Sequence, residues 1–533
     1  MKHYQRTAEG RRAVVSSARA EASQIGIKIL EAGGNAVDAA VAVGFALGVC
    51  EPSTSGLGGG GFMLIKMASD PEPVFLDFRE CAPMAATPAL WQLDEAGHVL
   101  HEDNKYGGKA AGVPGEAAGL LYALEHYGTF PKEQVILPAA ELAEQGFLVT
   151  PMMEEHFTMR APAFERFRDG GSIYYQENRI MAGETCRNPK LGNTLRGLAE
   201  YGTRWFYEDE PARSILKCVR ETGGVMTEKD LAIYAPRVRK PVRSSYRGYE
   251  ILSAGLPSSG GTHILQSLNI LEHFDVALLP VNSGAYLHLL SEVFKRVYRD
   301  RARYMADSDF VPVPVDGLTD KDYAAALAAQ ISMDHASPVT ALDPWNYEHH
   351  DTTHYSIADA DGNMVAVTKT INNFCGACLM PDDTGFILND TMDDFSPDSE
   401  SINCIAPGKK PLSSMSPTIV LRDGKPYAVL GSPGGERIIN TVVQVISKLV
   451  DHGMSVEEAV ASPRMTENTS DRIVYEGRMD PVEIRKAESL GHCTEKVLDF
   501  DVKMGGVQAV VYGEDGTIRG SADPRRDGET FAI

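Results

Sequence analysis

Residues 351–372 hold two runs rich in β-branched and apolar residues, Asp351 to Asp359 and Met364 to Asn372, on either side of Ala360-Asp361-Gly362-Asn363. A turn built on Asp-Gly between two such runs reads as a β-hairpin, which sets two strands side by side and fixes which residues share a face. A symmetric four-residue loop pairs Thr352 with Ile371. A slip of one residue either way puts Thr370 or Asn372 opposite it, and these two share a face by period-two alternation. Either slip gives Thr352 a polar, hydrogen-bonding neighbour across the hairpin. Taken alone, the stretch is an ordinary hairpin with a threonine at its start; its surroundings carry the argument further.

The 533 residues, 43% of them hydrophobic, suffice for a large core in one big domain or a few smaller ones. Lys and Arg number 51 against 73 Asp and Glu, and the net charge of −22 argues against nucleic acid and anionic membrane surfaces as partners. Met1 to Arg19 is polar and basic and lacks the apolar run of a secretory signal, so the expectation for a complete native chain is the cytoplasm. The longest apolar stretch, Ala39 to Cys50, is too short to span a bilayer. Eight scattered cysteines do not form a disulfide framework. Cys375 and Cys378 make a lone C-x-x-C with Cys404 nearby, and without a fourth ligand or a following helix they read as small buried residues.

Along the chain, Ser17 to Ala32 carries helical apolar spacing and ends at Gly33-Gly34, after which Asn35 caps a helix over Ala36 to Cys50 that is apolar nearly all round. Gly56-Leu57-Gly58-Gly59-Gly60-Gly61 matches G-x-G-x-x-G, but no strand precedes it and the strand Phe62 to Ile65 follows it, which is the wrong context for a dinucleotide. It reads as a tight turn or a close backbone approach. Val74 to Glu80 is a further strand, and Arg79 on its own reads as half of a surface ion pair. From Ala111 to Pro344 helical segments alternate with turns; Ala212 to Glu221 and Ala285 to Met305 are helices. Pro257-Ser258-Ser259-Gly260-Gly261 opens another with Ile264, Leu265, Leu268 and Leu271 on one face, either as a packing turn or as an anion site.

Pro338 to Asp351 reads as an exposed linker. Its Glu348, His349, His350 and Asp351, with His354, match no common metal spacing, and Asp359 to Thr370 lacks the glycine and glutamate of a calcium loop. Gly385 to Asn389 reads as a strand leading into Asp390-Thr391-Met392-Asp393-Asp394-Phe395-Ser396. Pro411 to Pro417 then introduces a hairpin, Thr418 to Leu421 with Tyr427 to Leu430, around Asp423-Gly424. Gly431-Ser432-Pro433-Gly434-Gly435 opens a helix with Ile438, Val442, Val445, Ile446 and Leu449 inward. Two glycine amides at a helix start either hold a developing oxyanion or simply turn the chain.

Taken together these stretches resemble the gamma-glutamyltranspeptidase family from about Val14 to Asp527. The matching pieces are Gly33 to Ala40, Gly58 to Phe62, Asp77 to Glu80, Pro257 to Gly261, Thr352 to Ser356, Met392 to Ser396, Pro411 to Pro417 and Gly431 to Gly435. The resemblance implies an α+β chain with the four-layer αββα fold of N-terminal-nucleophile hydrolases. It also implies a chain that cuts itself between Asp351 and Thr352 into a large fragment, 1–351, and a small catalytic one, 352–533, intertwined as a heterodimer. On the matching positions it makes Thr352 the nucleophile, with Thr370 and Asn372 beside it and Gly434 and Gly435 as the oxyanion hole. Arg79, Ser413 and Ser414 would hold the donor's α-carboxylate and Asp394 its α-amino group. The implied activity takes a γ-glutamyl group from glutathione or a similar amide and passes it to water, an amino acid or a peptide, with no metal or organic cofactor.

Physical chemistry supports that scheme independently. A threonine hydroxyl is a poor nucleophile, but an N-terminal threonine carries an α-amine whose pKa of about 7.7 to 8.0 leaves part of it available as a base. A zwitterionic amino-acid end calls for one cation and one anion on opposite sides of a pocket, which Arg79 and Asp394 could supply. Two departures stand out. Thr391 occupies the slot where many relatives carry glutamine or glutamate, and Ser396 to Lys410 is shorter than in relatives with a lid, which implies an open cleft. The rival expectations are an acylase or poly-γ-glutamate hydrolase on the same fold, and an uncut binding protein without catalysis; a serine esterase lacks its G-x-S-x-G.

Overall fold

The computed structural model describes residues 5–167, 180–338, 352–467 and 472–533. Asp351, the expected cleavage residue, lies outside them, as do Glu348, His349 and His350. The strands of the two large sheets, in chain order, are β1 (Thr7–Gly10), β2 (Ala13–Ser17), β3 (Gly60–Lys66), β4 (Val74–Phe78), β5 (Arg237–Arg239), β6 (Val242–Tyr246) and β7 (Tyr249–Ser253). They continue as β8 (Thr353–Asp359), β9 (Met364–Thr370), β10 (Thr418–Arg422), β11 (Lys425–Gly431), β12 (Gln508–Tyr512), β13 (Ile518–Ala522) and β14 (Glu529–Ala532). One antiparallel sheet runs β14-β2-β8-β9-β3-β4-β5 and the other β1-β13-β12-β11-β10-β7-β6.

Helices α1 (Ala20–Glu31) and α2 (Ala36–Cys50) cover the outer face of the first sheet. Helices α3 (Gly260–Leu271) and α5 (Ile438–Val450) cover the outer face of the second, with α4 (Gly284–Tyr304) packed on α3. Alternation along the strands builds these layers. Val15, Met63, Ile65, Leu76, Ile357, Val365 and Val367 share one core with α1 and α2, whereas Val14, Phe62, Leu64, Phe75, Ala358, Met364 and Ala366 join the core of the second sheet. The expected four-layer αββα arrangement is therefore present. Helix α2 is buried along its whole length, and Asn35 caps it reciprocally with Asp38. Among the described residues no helix is long and apolar enough to cross a membrane.

The central hairpin β8–β9 takes the slipped register. Ala358 faces Met364 and Thr353 faces Lys369, which sets Thr352 opposite Thr370 and not Ile371. The cause is a loop of three residues where the symmetric expectation had four. Asp359 N–H donates to the Asn363 carbonyl at 3.2 Å, and the Asp359 carboxylate accepts from Asp361 N at 3.1 Å, Asn363 N at 3.0 Å and Asn363 Nδ2 at 2.8 Å. The aspartates that imitate a calcium loop thus close a turn.

Three other expectations need correction. The middle third is not purely helical: β5, β6 and β7 lie within it, β5 and β6 at sheet edges and β7 between β6 and β10. Gly385 to Asn389 forms one bridge, Leu388 to Gly58, in place of a strand, because its backbone bonds are split between two segments, Ala377 with Leu379 on one side and Gly58 on the other. Cys375 and Cys378 are buried and unbridged as expected, but Cys404 is only half-buried.

Candidate active site

Thr352 precedes β8 on the face turned toward the second sheet, since His354, Ser356 and Ala358 follow it at two-residue intervals. It is 3% exposed and lies in a cavity whose walls include Thr370, Asn372, Arg79, Asp394, Ser413, Ser414 and Gly435. Seven of the expected site residues besides Thr352 thus meet around one space. Gly434 stands one residue behind Gly435, outside that lining.

Thr352 Oγ1 donates to Thr370 Oγ1 across 3.4 Å, and Thr370 Oγ1 also accepts the Asn372 N–H at 2.7 Å. Asn372 holds the left-handed conformation, φ 78°, and its Nδ2 donates to the Asp390 carbonyl at 3.2 Å. The glycine run Gly58 to Gly61 backs this corner. A Cβ on Gly59 would stand 2.0 Å from the Thr370 carbonyl oxygen, and one on Gly58 2.0 Å from that of Ile387. The run is thus the close backbone approach its sequence context suggested.

Arg79 is not on the surface. It is 1% exposed, directly follows β4, and pairs through Nη2 with the Asp394 carboxylate and through Nη1 with Glu80 at 3.5 Å. The expectation of Arg79 and Asp394 on opposite sides of the pocket is corrected here: the two side chains touch each other. In a site this dry an arginine without an anion would be costly, so the two charges pair directly. Arg79 Nε has no hydrogen-bond partner among the described residues.

Glu80, fully buried, is pushed up to about 7 by desolvation, which outweighs the pull of Arg79. Its Oε1 accepts the Thr391 hydroxyl at 2.8 Å. The short side chain at 391 is therefore turned to an internal partner. Behind Thr352, His354 is fully buried and burial depresses it to about 3; Thr368 Oγ1 lies 2.8 Å from its Nδ1 and Ser356 Oγ 3.0 Å from its Nε2. Both ring nitrogens are thus engaged by hydroxyls.

Ser413 and Ser414 are braced from behind. The turn before α3 does this: Ser259 N and Oγ both donate to the Ser413 carbonyl at 2.8 Å, and Ser258 Oγ donates to the Met415 carbonyl at 2.7 Å. Of the two readings of Pro257 to Gly261, the structure supports the packing turn. Gly434 and Gly435 have φ of 131° and 58°, a backbone glycine adopts freely, and lead through a 3₁₀ turn, Gly435–Arg437, into α5.

Sequence reasoning missed Asn104, Asp393, Asn403, Arg301 and Glu436, all of which line the cavity. Asp393 adjoins Asp394 in one motif and accepts from Asn104 Nδ2, and Asn403 Nδ2 donates to the Asp394 carbonyl at 2.7 Å. Arg301 carried a signal: it lies three residues after Tyr298, on the buried face of a long helix. The short segment after Ser396 bridges back on itself at Cys404 and contributes Ser401, Ile402 and Asn403 to one wall of the cavity.

The chain is 40% identical over 528 residues to the glutathione hydrolase proenzyme of Escherichia coli (strain K12), spanning 96% of this chain and 90% of that protein. It is 38% identical over 539 residues to the acylase ACY 1 proenzyme of Pseudomonas sp. (strain V22), spanning 99% and 94%. Among solved structures, cephalosporin acylase from Bacillus halodurans superposes with a TM-score of 0.89 at 24% identity over 100% of this chain and 98% of that one, a likeness of fold. Helicobacter pylori gamma-glutamyltranspeptidase has a TM-score of 0.59 at 40% identity and covers 62% of this chain and 94% of its own. The family model described as gamma-glutamyltranspeptidase matches residues 22–533, and the chain belongs to that family.

Proposed function

We propose that this protein is a γ-glutamyl hydrolase and transferase that becomes active by cutting the bond between Asp351 and Thr352. The observation that carries the reading is Thr352, opposite Thr370 at the start of a central strand, in one cavity with the Arg79–Asp394 pair. The word proenzyme in the names of its E. coli and Pseudomonas relatives supports processing. So does the H. pylori chain, which is matched almost completely yet reaches only 62% of this one; residues 1–351 are about two thirds of it.

After the cut, the freed α-amine of Thr352 takes the proton of its own hydroxyl as Oγ1 attacks the γ-carbonyl carbon. The amides of Gly434 and Gly435 receive the oxyanion. The ammonium then protonates the departing amine as the C–N bond breaks, leaving the γ-glutamyl group as an ester on Thr352. Water or an acceptor amine attacks that ester and restores the hydroxyl. For donor recognition, the α-carboxylate goes to Arg79 with Ser413 and Ser414, and the α-ammonium to Asp394. A zwitterion suits a pre-formed ion pair: each protein charge exchanges its partner for one on the donor, and neither is left bare in a buried site. Arg79 Nε, without a hydrogen-bond partner among the described residues, gives the guanidinium a further donor for that exchange.

A second reading, an amide acylase on substrates without the α-amine, draws support from the ACY 1 relative and from Thr391, which is bonded to Glu80. One experiment separates them. Purified protein is assayed with a γ-glutamyl anilide and a glutaryl anilide, then with glutathione with and without a dipeptide. We expect faster turnover of the γ-glutamyl anilide, and glutathione cleavage that the dipeptide diverts to a γ-glutamyl peptide. Preference for the glutaryl anilide would replace this reading with the acylase.

A further inference from the structure

We propose that Arg301 is a positioning residue which, with one guanidinium, sets both the serine pair at the donor's carboxylate end and the glycine turn that receives the oxyanion. This rests on the function proposed above. Arg301 lies in the last turn of α4, its side chain 10% exposed at the cavity wall. It reaches three segments at once. Nη2 donates to Ser414 Oγ at 3.0 Å, Nε donates to Ser259 Oγ at 3.0 Å, and Nη1 pairs with Glu436 Oε1 at 2.5 Å.

Each contact has a chemical consequence. Arginine only donates, so its bond to Ser414 fills a lone pair of the hydroxyl and leaves the hydroxyl hydrogen to be given to an incoming anion. Ser259, held by the same guanidinium, donates in turn to the Ser413 carbonyl and fixes the segment that carries both serines. Glu436 directly follows Gly435. It is gripped twice from one face of α4: Arg301 holds its carboxylate, and Tyr298, three residues earlier, donates to its carbonyl at 2.5 Å. That double hold limits rotation of the Gly434–Gly435 turn. A lysine can follow the stem of Arg301, but its single ammonium cannot reproduce the planar fork.

The test uses the full, self-cut enzyme with γ-glutamyl p-nitroanilide, KM and kcat being expressed per site after active-site titration. Turnover by the wild type is established first, and its failure would defeat the functional reading before any variant is made. Arg301→Lys should still cut itself, raising KM and lowering kcat by about tenfold each. Ser414→Ala should raise KM alone and Glu436→Gln lower kcat alone, while Ser414→Ala added to Arg301→Gln should raise KM no further. Per-site KM and kcat of both Arg301 variants within twofold of wild type, whatever their yield, would overturn the proposal, as would a Ser414→Ala effect undiminished by Arg301→Gln. Should neither Arg301 variant cut itself, Tyr298→Phe, which releases only the Glu436 carbonyl, must lower kcat with KM unchanged; an unchanged kcat overturns the proposal equally.

Discussion

His354 sits two residues after Thr352 on the same face, and its burial has a measurable acid signature. It falls from the ordinary 6.5 to about 3 in the folded protein, so between these values the unfolded chain holds a proton that the native state does not. Its contribution to stability is complete above pH 6.5 and is lost as pH falls through the window to about 3, at no more than about 1.4 kcal/mol per pH unit. Substituting His354→Gln should flatten the acid limb of the unfolding curve by that slope, measured as unfolding temperature against pH beside wild type. An unchanged limb would mean that His354 is protonated in place. At this scale much of the site could be read from the chain: Thr370, Asn372, Asp394, Ser413 and Ser414 all reach the cavity. Arg79 reaches the cavity too, as the family resemblance implied, but its own sequence context pointed to the surface. A lone arginine at a strand end looks exposed, and only the fold brings Asp394, more than three hundred positions away, against it.

Strands and turns place those residues, and the hairpin β8–β9 with its backing glycines is the sensitive element. Gly59 has no room for a side chain, because the Thr370 carbonyl occupies the site of its Cβ. Gly59→Ala should cost about 3 kcal/mol and push Thr370 away from Thr352. The expected outcome is a lower unfolding temperature and a kcat reduced at least tenfold in whatever fraction folds; a wild-type kcat would show that the corner yields without consequence. The hairpin itself was legible from its alternation and its Asp-Gly, yet its register was not. Loop length turned on whether Asn363 closes the turn or continues the ladder, a choice made by the Asp359 carboxylate. Strand β5 carries three residues, among them Arg237 and Arg239, and stands at a sheet edge where both bind Asp309. So short and charged a segment has no apolar alternation to announce it.

Across the whole molecule, both sheets draw strands from either side of residue 352. In the first, β14, β8 and β9 are laced between and beside β2, β3, β4 and β5; in the second, β1, β6 and β7 flank strands from the later part. Two fragments sharing such sheets should migrate as one species under native conditions and as two on a denaturing gel, since separation would open strand edges through both cores. The layer arrangement followed from resemblance and not from composition, because apolar content fixes how much is buried and says nothing of which strand lies beside which. What the proposal requires above all is that Thr352 acquire a free amine. Intact-mass spectrometry of purified protein that turns over a γ-glutamyl anilide tests this most directly. The account predicts two masses, for residues 1–351 and 352–533, the same two from Thr352→Ser, and one full-length mass from an inactive Thr352→Ala. A single full-length mass in wild-type material that is fully active would contradict it.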